Sequence, residues 1–322
     1  MPYSYGSHAA VYDRFAASFN TLAEHVGRVI LGKRQEIDLA LTAMVAEGHL
    51  LIDDFPGLGK TSLAHALARS VEGKFQRIQF TPDTLPSDIT GSMILDESRS
   101  GLVFRKGPVF ANVVLCDEVN RASPKAQSAL LEVMEERQVT PDGDPIDVPR
   151  PFMVVATQNP VDFAGTYPLL ESQLDRFMIC MRIGYPDAGT EREILKQQSL
   201  GRPVDDSQRA VSQAQLTEMI NIARGVRVDD EIHEFVVRIL GRTRDDPSVR
   251  LGASPRAGIA LIRAARVWAA SRQRHFVAPQ DVEFLATPVL AHRLMLDSSA
   301  AYHDVTATDV VKRAVHSARP SR

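Results

Sequence analysis

The chain has 322 residues, of which 44% are hydrophobic and 24% are charged, and these values exclude a disordered or fibrous protein. A chain of this length predicts one large domain and a smaller one. The net charge of -3 at pH 7 provides no overall basic surface for sequence-independent binding of nucleic acid, so that class of function is disfavoured.

Short apolar runs in the first part of the chain predict five buried β-strands. Helical patterns lie between them, most clearly over Lys60–Ser70 and Ser123–Arg137, and this alternation favours a parallel sheet with helices on both faces. Ser123 is a good N-cap for the second helix, with Pro124 at its first position. The predicted strands are His49–Asp53, Phe75–Phe80, Asn112–Asp117, Phe152–Thr157 and Phe177–Ile183.

Two insertions interrupt this alternation, and both have the pattern of a β-hairpin. A hairpin here could face a partner or be an ordinary connection, and periodicity favours neither alternative. The first insertion consists of Ile89–Leu95, the polar segment Asp96–Gly101 and Leu102–Phe104, and the second of Val139, a turn with Asp142 and Gly143, and Ile146–Val148.

After Tyr185, Pro186 and Asp187 the strand-like runs stop, and the remaining pattern is helical. The chain is therefore divided into an N-terminal tail over 1–20, an α/β domain over 21–186 and a helical domain over 187–322. The helices predicted for the last part are Glu191–Ser199, Gln213–Arg224, Glu231–Leu240, Pro255–Arg272 and Pro279–Leu290.

The cysteines and the apolar runs indicate a cytoplasmic protein. Cys116 and Cys180 each lie in an apolar run, which favours two reduced, buried thiols over a disulfide. The first 20 residues lack the pattern of a secretion signal, and no run is long enough to span a bilayer. The histidines have no metal-ligand spacing, so no protein-bound zinc is predicted.

A glycine-bearing loop follows the first predicted strand and precedes a helix, which is the context of a phosphate-binding P-loop. Backbone N–H groups and the helix N-terminus would surround phosphate oxygens, while Lys60 reaches the β- and γ-phosphates and the Thr61 hydroxyl binds Mg²⁺. The usual pattern has glycine where this chain has Asp54. The residues predicted to contact the nucleotide are Asp54, Pro56, Gly57, Leu58, Gly59, Lys60, Thr61 and Ser62.

Polar residues end two further strands at the same predicted edge of the sheet. Asp117 would hold Mg²⁺, and Glu118 would orient the attacking water, the alternative being an exposed acidic turn. The Asn159 amide could lie between that water and the γ-phosphate, although asparagine before proline is also common in turns. Taken together, the three strand ends predict a site for ATP hydrolysis.

In these motifs the sequence resembles the AAA+ ATPase superfamily and, within it, the MoxR branch. The resemblance extends from about Leu31 through the helical domain, and the stretches that carry it are Asp117–Arg121, Gln127–Glu132, Ala156–Pro160, Gln173–Phe177 and Gly252–Ala257. It implies an α/β domain whose five-stranded parallel sheet has the order 5-1-4-3-2, a C-terminal helical lid, and ATP and Mg²⁺ as ligands. It also implies a homo-oligomeric ring, usually a hexamer, in which neighbouring subunits complete each site.

The resemblance assigns roles to three further residues. Asn159 corresponds to sensor 1, Arg176 to the arginine finger offered to a neighbour's ATP, and Arg256 to the sensor 2 arginine of the lid. A guanidinium suits both arginine roles because it stays charged and forks onto phosphate oxygens. Arg121 is a rival for the trans-acting role. The alternatives are an ion pair with Asp175 or a nearby acid for Arg176, and a solvated lid side chain for Arg256.

The chain departs from the family pattern beside the expected subunit interface. Leu170 and Ser172, shortly before Arg176, stand where a proline and an alanine are more usual. The two predicted hairpins coincide with the family's helix-2 and presensor insertions, which favours the partner-facing alternative.

The resemblance implies a chaperone-like remodeller that matures or activates partner proteins, often ones with von Willebrand factor A domains or metal sites. A scaffold that binds ATP and hydrolyses it slowly is an alternative, and the intact Glu118 argues against it. A nucleic-acid motor is another alternative, favoured by the arginine-rich stretch Arg242–His275 and disfavoured by the acidic overall charge.

Overall fold

The computed structural model describes residues 5–96, 101–159, 166–199 and 209–319. Residues 97–100 of the first predicted hairpin and Pro160 lie outside these ranges. The helices are α1 (Tyr5–Gly27), α2 (Arg34–Val45), α3 (Lys60–Ser70), α4 (Pro86–Thr90), α5 (Pro124–Glu136), α6 (Glu171–Leu174), α7 (Ala188–Ser199), α8 (Gln213–Arg224), α9 (Asp230–Asp245), α10 (Pro255–Ala270), α11 (Pro279–Leu290) and α12 (Ala307–Ala318). The strands are β1 (Leu50–Asp53), β2 (Phe75–Gln79), β3 (Gly91–Asp96), β4 (Gly101–Lys106), β5 (Val113–Asp117), β6 (Gln138–Val139), β7 (Ile146–Asp147), β8 (Met153–Gln158), β9 (Ile179–Met181), β10 (Val249–Leu251) and β11 (Met295–Leu296).

A parallel sheet in the order β2-β5-β8-β1-β9 forms the centre of the first domain. When these five strands are numbered 1 to 5 along the chain, they lie in the order 2-3-4-1-5, which is 5-1-4-3-2 from the other edge of the sheet. The predicted sheet is therefore confirmed. Alternate residues of β5 contribute to two apolar clusters, with Leu115 on one face and Val114 on the other. This central strand is buried along its whole length, because helices cover both faces.

The predicted hairpins are both present. Strand β3 pairs antiparallel with β4, and β6 pairs antiparallel with β7. The Ser123 cap is also present, since its hydroxyl accepts a hydrogen bond from the Ala126 N–H at 3.3 Å.

The predicted N-terminal tail is the main difference from the sequence analysis. Residues from Tyr5 to Gly27 form helix α1, and the predicted boundary after residue 20 falls inside it. Phe15, Phe19 and Leu22 are buried on one side of this helix. Helix α1 contacts α2 and α3 of the first domain and α8 and α10 of the second, so it bridges the two.

The second domain consists mainly of α8 to α12, as the sequence predicts, with one departure. Strand-like runs do not stop after Asp187, because β10 and β11 pair as a small antiparallel sheet beside the helices. These strands have three and two residues, which is too short for a strand periodicity to be visible. Within the described residues, no helix has both the length and the apolar composition needed to cross a membrane.

Cys116 and Cys180 are free thiols, as predicted. They lie in β5 and β9, which are not neighbours in the sheet. Burial raises the pKa of the Cys116 thiol above its ordinary range and that of Cys180 to about 12. Neither thiol is therefore a nucleophile at neutral pH.

Candidate nucleotide site

The predicted P-loop connects the carboxyl end of β1 to the first residue of α3. Gly57 and Gly59 have φ angles of 83° and 84°, in the left-handed region that glycine adopts without strain. These turns bring the loop to the N-terminus of α3, which begins at Lys60. Free N–H groups and the positive end of the helix dipole make this position suitable for phosphate.

Lys60 lies across the loop that precedes it. Its ammonium donates hydrogen bonds to the carbonyl oxygens of Asp54 and, at 3.2 Å, of Gln158. Burial lowers the pKa of Lys60 from its ordinary value, and the nearby carboxylates, chiefly Asp54 and Asp117, act in the opposite direction. The ammonium is thus held by neutral carbonyls, which a phosphate group can replace.

Asp54 has a different part from the one predicted. Its side chain is buried, and Oδ2 accepts hydrogen bonds from the N–H groups of Ile183 and Gly184, each at 2.7 Å. Oδ1 accepts from the Phe55 N–H at 2.9 Å. The carboxylate anchors the loop to the segment after β9 and does not face phosphate, which it would repel.

Asp117 ends β5 with both carboxylate oxygens bonded. Oδ1 accepts from the Thr157 hydroxyl at 2.6 Å. Oδ2 accepts from Arg77 Nη2 at 2.7 Å and from the Thr61 hydroxyl at 3.3 Å. These contacts fix the orientation of the carboxylate beside the P-loop.

Glu118 follows in a left-handed backbone conformation, with φ 57° and ψ 48°, and a short 3₁₀ turn begins after it. This conformation is uncommon for a residue with a side chain and often occurs at functional sites. Its N–H donates to the Thr157 hydroxyl at 3.0 Å. Its carboxylate accepts from Gln79 Nε2 at 3.2 Å and pairs with Arg121 Nε at 3.3 Å.

These residues line an open cleft at the carboxyl edge of the sheet. Asn159 lines it as predicted, whereas Asp54 and Leu58 do not. The described residues lining the cleft are Pro56, Gly57, Gly59, Lys60, Thr61, Ser62, Arg77, Gln79, Asp117, Glu118, Thr157 and Asn159.

The oxygen atoms of Thr61 and Asp117 fit a Mg²⁺ ion. Mg²⁺ prefers hard oxygen ligands, and in nucleotide sites it takes one or two protein oxygens together with phosphate oxygens and water. No group of three or more His, Cys, Asp or Glu side chains in the described part of the chain could hold a metal ion. A divalent ion at Thr61 and Asp117 would therefore depend on oxygens from the nucleotide.

Arg176 and Arg256 lie elsewhere and line a second cavity. This cavity also includes His49, just before β1, and Met178, just before β9, so it lies at the amino edge of the parallel sheet. The four residues of β1, about 13 Å at the usual rise, separate it from the P-loop. That the two arginines share one cavity at the opposite edge of the sheet was not predicted from the sequence.

Several residues of the cleft and of the second cavity were not predicted from the sequence. Arg77, Gln79 and Thr157 line the cleft, and Glu135 binds both arginines of the second cavity. Arg77 and Gln79 are polar residues two apart in a strand, which places them on one face, and this was the available signal. Nothing in the sequence distinguishes Glu135 from its neighbours on α5.

Comparisons with known proteins point to the same class of protein. Residues 49–179 match the ATPase family associated with various cellular activities (AAA), and residues 241–314 match the AAA lid domain. The chain is 40% identical over 310 residues to Chaperone MoxR1 of Mycobacterium tuberculosis, covering 92% of this chain and 82% of that protein. It is 45% identical over 289 residues to the uncharacterized protein YeaC of Bacillus subtilis, covering 90% of each. The crystal structure of a proposed ATPase from Cytophaga hutchinsonii superposes with a TM-score of 0.91 at 33% identity, covering 98% of this chain and 99% of that one.

Proposed function

The chain belongs to the MoxR family of AAA+ ATPases, and from this premise we propose that it couples Mg²⁺-dependent ATP hydrolysis to the remodelling of partner proteins. Nucleotide binding and ATPase activity are properties of the family to which it belongs. The Mg²⁺ dependence, the ring, the roles of individual residues and the client are our proposals.

In the proposed site, the P-loop N–H groups and Lys60 bind the phosphates. Thr61 and Asp117 hold Mg²⁺, which neutralises phosphate charge when it is bound. The Glu118 carboxylate orients and polarises the attacking water, and Asn159 positions that water against the γ-phosphate. The hydrogen bonds from Thr157 to Asp117 and from the Glu118 N–H to Thr157 support these roles by fixing both acids.

The single observation that carries the ring proposal is the position of Arg176 and Arg256. Both line a cavity at the edge of the sheet opposite the P-loop, so in one chain they are directed away from its own cleft. We therefore assign both as trans-acting arginines, which complete the ATP site of a neighbouring subunit. Arg121 pairs with Glu118 at its own cleft, and this favours Arg176 for the finger role.

The client is proposed to be a protein, as the name of Chaperone MoxR1 suggests for that relative. The β3–β4 hairpin supports this proposal because Met93, Ile94, Leu95 and Leu102 expose apolar side chains on it. Such side chains are typical of surfaces that contact other proteins. We further propose a cytoplasmic location, a hexameric ring and a client of the von Willebrand factor A class.

The experiment that tests the shared site is the rate of Mg²⁺-dependent ATP hydrolysis against protein concentration. We expect activity to rise with concentration, because subunits must associate to complete each site. The Arg176→Ala and Lys60→Ala variants should each be inactive alone. A mixture should recover part of the activity, because Lys60→Ala subunits still provide Arg176 to the intact P-loop of their neighbours.

Turnover that is independent of concentration and unaffected by Arg176→Ala would exclude the shared site and leave a self-contained ATPase. Glu118→Gln is the matched test of the chemistry, since it should still bind ATP and lose hydrolysis. Hydrolysis by Glu118→Gln at the wild-type rate would exclude Glu118 as the residue that orients water.

A further inference from the structure

Glu135 lies in the last turn of α5 and binds two arginines at once. Its Oε2 accepts a hydrogen bond from Arg176 Nε at 2.8 Å, and its Oε1 accepts from Arg256 Nη1 at 2.9 Å. Arg176 follows α6 in the α/β domain, whereas Arg256 is in the first turn of α10 in the lid. One carboxylate therefore joins the two proposed trans-acting arginines across the domain boundary.

The two arginines keep N–H groups that are not bonded to Glu135 and can donate to another acceptor. Glu135 accepts a hydrogen bond from Nε of Arg176, which leaves the N–H donors of both terminal nitrogens without a hydrogen bond to this carboxylate. Of Arg256 it engages only Nη1. The side chains are 28% and 46% exposed, respectively, and both line an open cavity. A phosphate group that enters this cavity can therefore meet two oriented guanidinium groups.

The other acids of the cavity pair with other arginines. Glu47 pairs with Arg137 and Arg224, and Asp175 pairs with Arg293. Burial by itself would raise the pKa of Glu135, but hydrogen bonds and attraction from Arg176 and Arg256 lower it below its ordinary value. Glu135 is thus ionised at neutral pH and offsets the repulsion between these two arginines.

We propose that Glu135 is a positioning residue that fixes Arg176 and Arg256 side by side in the arrangement required by a neighbouring subunit's ATP. This inference rests on the proposed function of the two arginines. A free arginine side chain loses rotamer entropy when it is ordered, so holding two of them in place beforehand lowers the cost of forming the shared site. Because Arg256 belongs to the lid, the same carboxylate links the position of the lid to catalysis in the next subunit.

The test is the ATPase activity of Glu135→Gln, alone and mixed with Lys60→Ala. We expect Glu135→Gln to lower kcat by about 10- to 100-fold, in the range caused by small misplacements of catalytic groups. KM should change less than twofold, since the variant's own P-loop is intact. Addition of Lys60→Ala subunits should restore activity, because they bring an undisturbed Glu135 with its two arginines to the Glu135→Gln sites.

Matched variants separate this role from a structural one. Glu136→Gln, at the next and exposed position of α5, should keep wild-type kcat. Glu135→Asp keeps the charge but shortens the reach, and it should show the same loss and the same recovery in the mixture. A variant that is merely poorly folded would not be restored by mixing. Arg176→Ala mixed with Glu135→Gln should not exceed the residual turnover of Glu135→Gln alone, because neither subunit provides Arg176 and Arg256 held together by Glu135.

The outcomes also distinguish this inference from the proposed function. If Arg176→Ala mixed with Lys60→Ala recovers activity while Glu135→Gln keeps wild-type kcat or is not restored, the role of Glu135 is refuted and the shared site stands. A higher kcat for Glu135→Gln would overturn it as well, since Glu135 would then hold the arginines back. If no mixture recovers activity, the shared site itself is refuted.

Discussion

The hydroxyl of Thr157 links the two acidic residues of the cleft, Asp117 and Glu118. It donates to Asp117 Oδ1 at 2.6 Å and accepts from the Glu118 N–H at 3.0 Å, so one oxygen atom sets the orientation of both residues. The left-handed backbone of Glu118 depends on this support, since nothing in an isolated chain favours it.

We therefore expect Thr157→Val to lower kcat while ATP binding changes little. Valine has nearly the same shape, but it leaves the Glu118 N–H unpaired and Asp117 less restrained, at a cost of about 1–3 kcal/mol of stability. Turnover and nucleotide affinity can be measured on one preparation. Thr157→Ser is the control, because it keeps the hydroxyl and should retain most of the turnover. Wild-type turnover in Thr157→Val would mean that the hydroxyl does not orient the two acids.

His49 gives the protein a dependence of stability on pH. It is buried, its Nδ1 accepts from the Val154 N–H at 3.0 Å, and its Nε2 lies 3.1 Å from the Met134 carbonyl oxygen. Burial lowers its pKa from 6.5 to about 4. Between these values the unfolded chain binds a proton that the folded chain does not, so the stabilisation is complete above pH 6.5 and is lost as the pH falls towards 4.

At pH 5 we expect His49 to lower the free energy of unfolding by about 2 kcal/mol relative to pH 7. Urea unfolding at pH 7 and pH 5 measures it, and in His49→Gln the difference between the two pH values should shrink by about that amount. His303→Gln, which changes an exposed histidine, should leave the difference unchanged. If His49→Gln keeps the full difference, another group is responsible.

The candidate ATP-binding and catalytic residues of the cleft could be predicted from the sequence. Strand, loop and helix patterns place Lys60, Thr61, Asp117 and Glu118 at one edge of a sheet. The contacts that hold these residues and the P-loop in place could not be predicted in the same way. Asp54 occupies a motif position, yet its carboxylate binds N–H groups about 130 residues later in the chain. Contacts of this kind depend on tertiary packing, which periodicity does not encode.

At the scale of elements, the central strands and α3, α8 and α11 were predicted almost residue for residue, because long apolar patterns bounded by turns are strong signals. Helix α1 was not predicted. A helix in a protein gains most of its stability from tertiary packing, and the apolar side of α1 packs against two domains whose surfaces the sequence does not display. Helix α1 is therefore part of the folded protein.

A substitution in α1 tests this role. Phe15→Ala removes a ring that is 1% exposed, and a buried Phe→Ala change costs about 3–5 kcal/mol. We expect a clear fall in the midpoint of thermal unfolding. Glu24→Ala, at an exposed position of the same helix, should change stability by about 0.5 kcal/mol or less. Similar small effects of both substitutions would mean that α1 is detached from the rest in solution.

At the scale of the whole molecule, Glu47 joins the α/β domain to the lid. Its carboxylate pairs with Arg137 at 3.1 Å and with Arg224 of α8. Its backbone carbonyl accepts from Arg137 at 3.0 Å and from Arg263 of α10 at 3.2 Å. Burial alone would raise the pKa of Glu47, but the arginines lower it below its ordinary value, so the carboxylate is charged at neutral pH.

Glu47→Gln should therefore weaken the connection between the domains. Removing one partner of a buried ion pair costs about 3–5 kcal/mol, and since Arg224 is 63% exposed we expect a smaller loss of about 2 kcal/mol. Calorimetry should show a lower midpoint and a lid transition that separates from that of the α/β domain. Glu72→Gln, which breaks the exposed pair with Arg209, should cost about 0–1 kcal/mol and keep one transition. If the two variants behave alike, the contact between α10 and α2 holds the lid, and the charge of Glu47 contributes little to the connection.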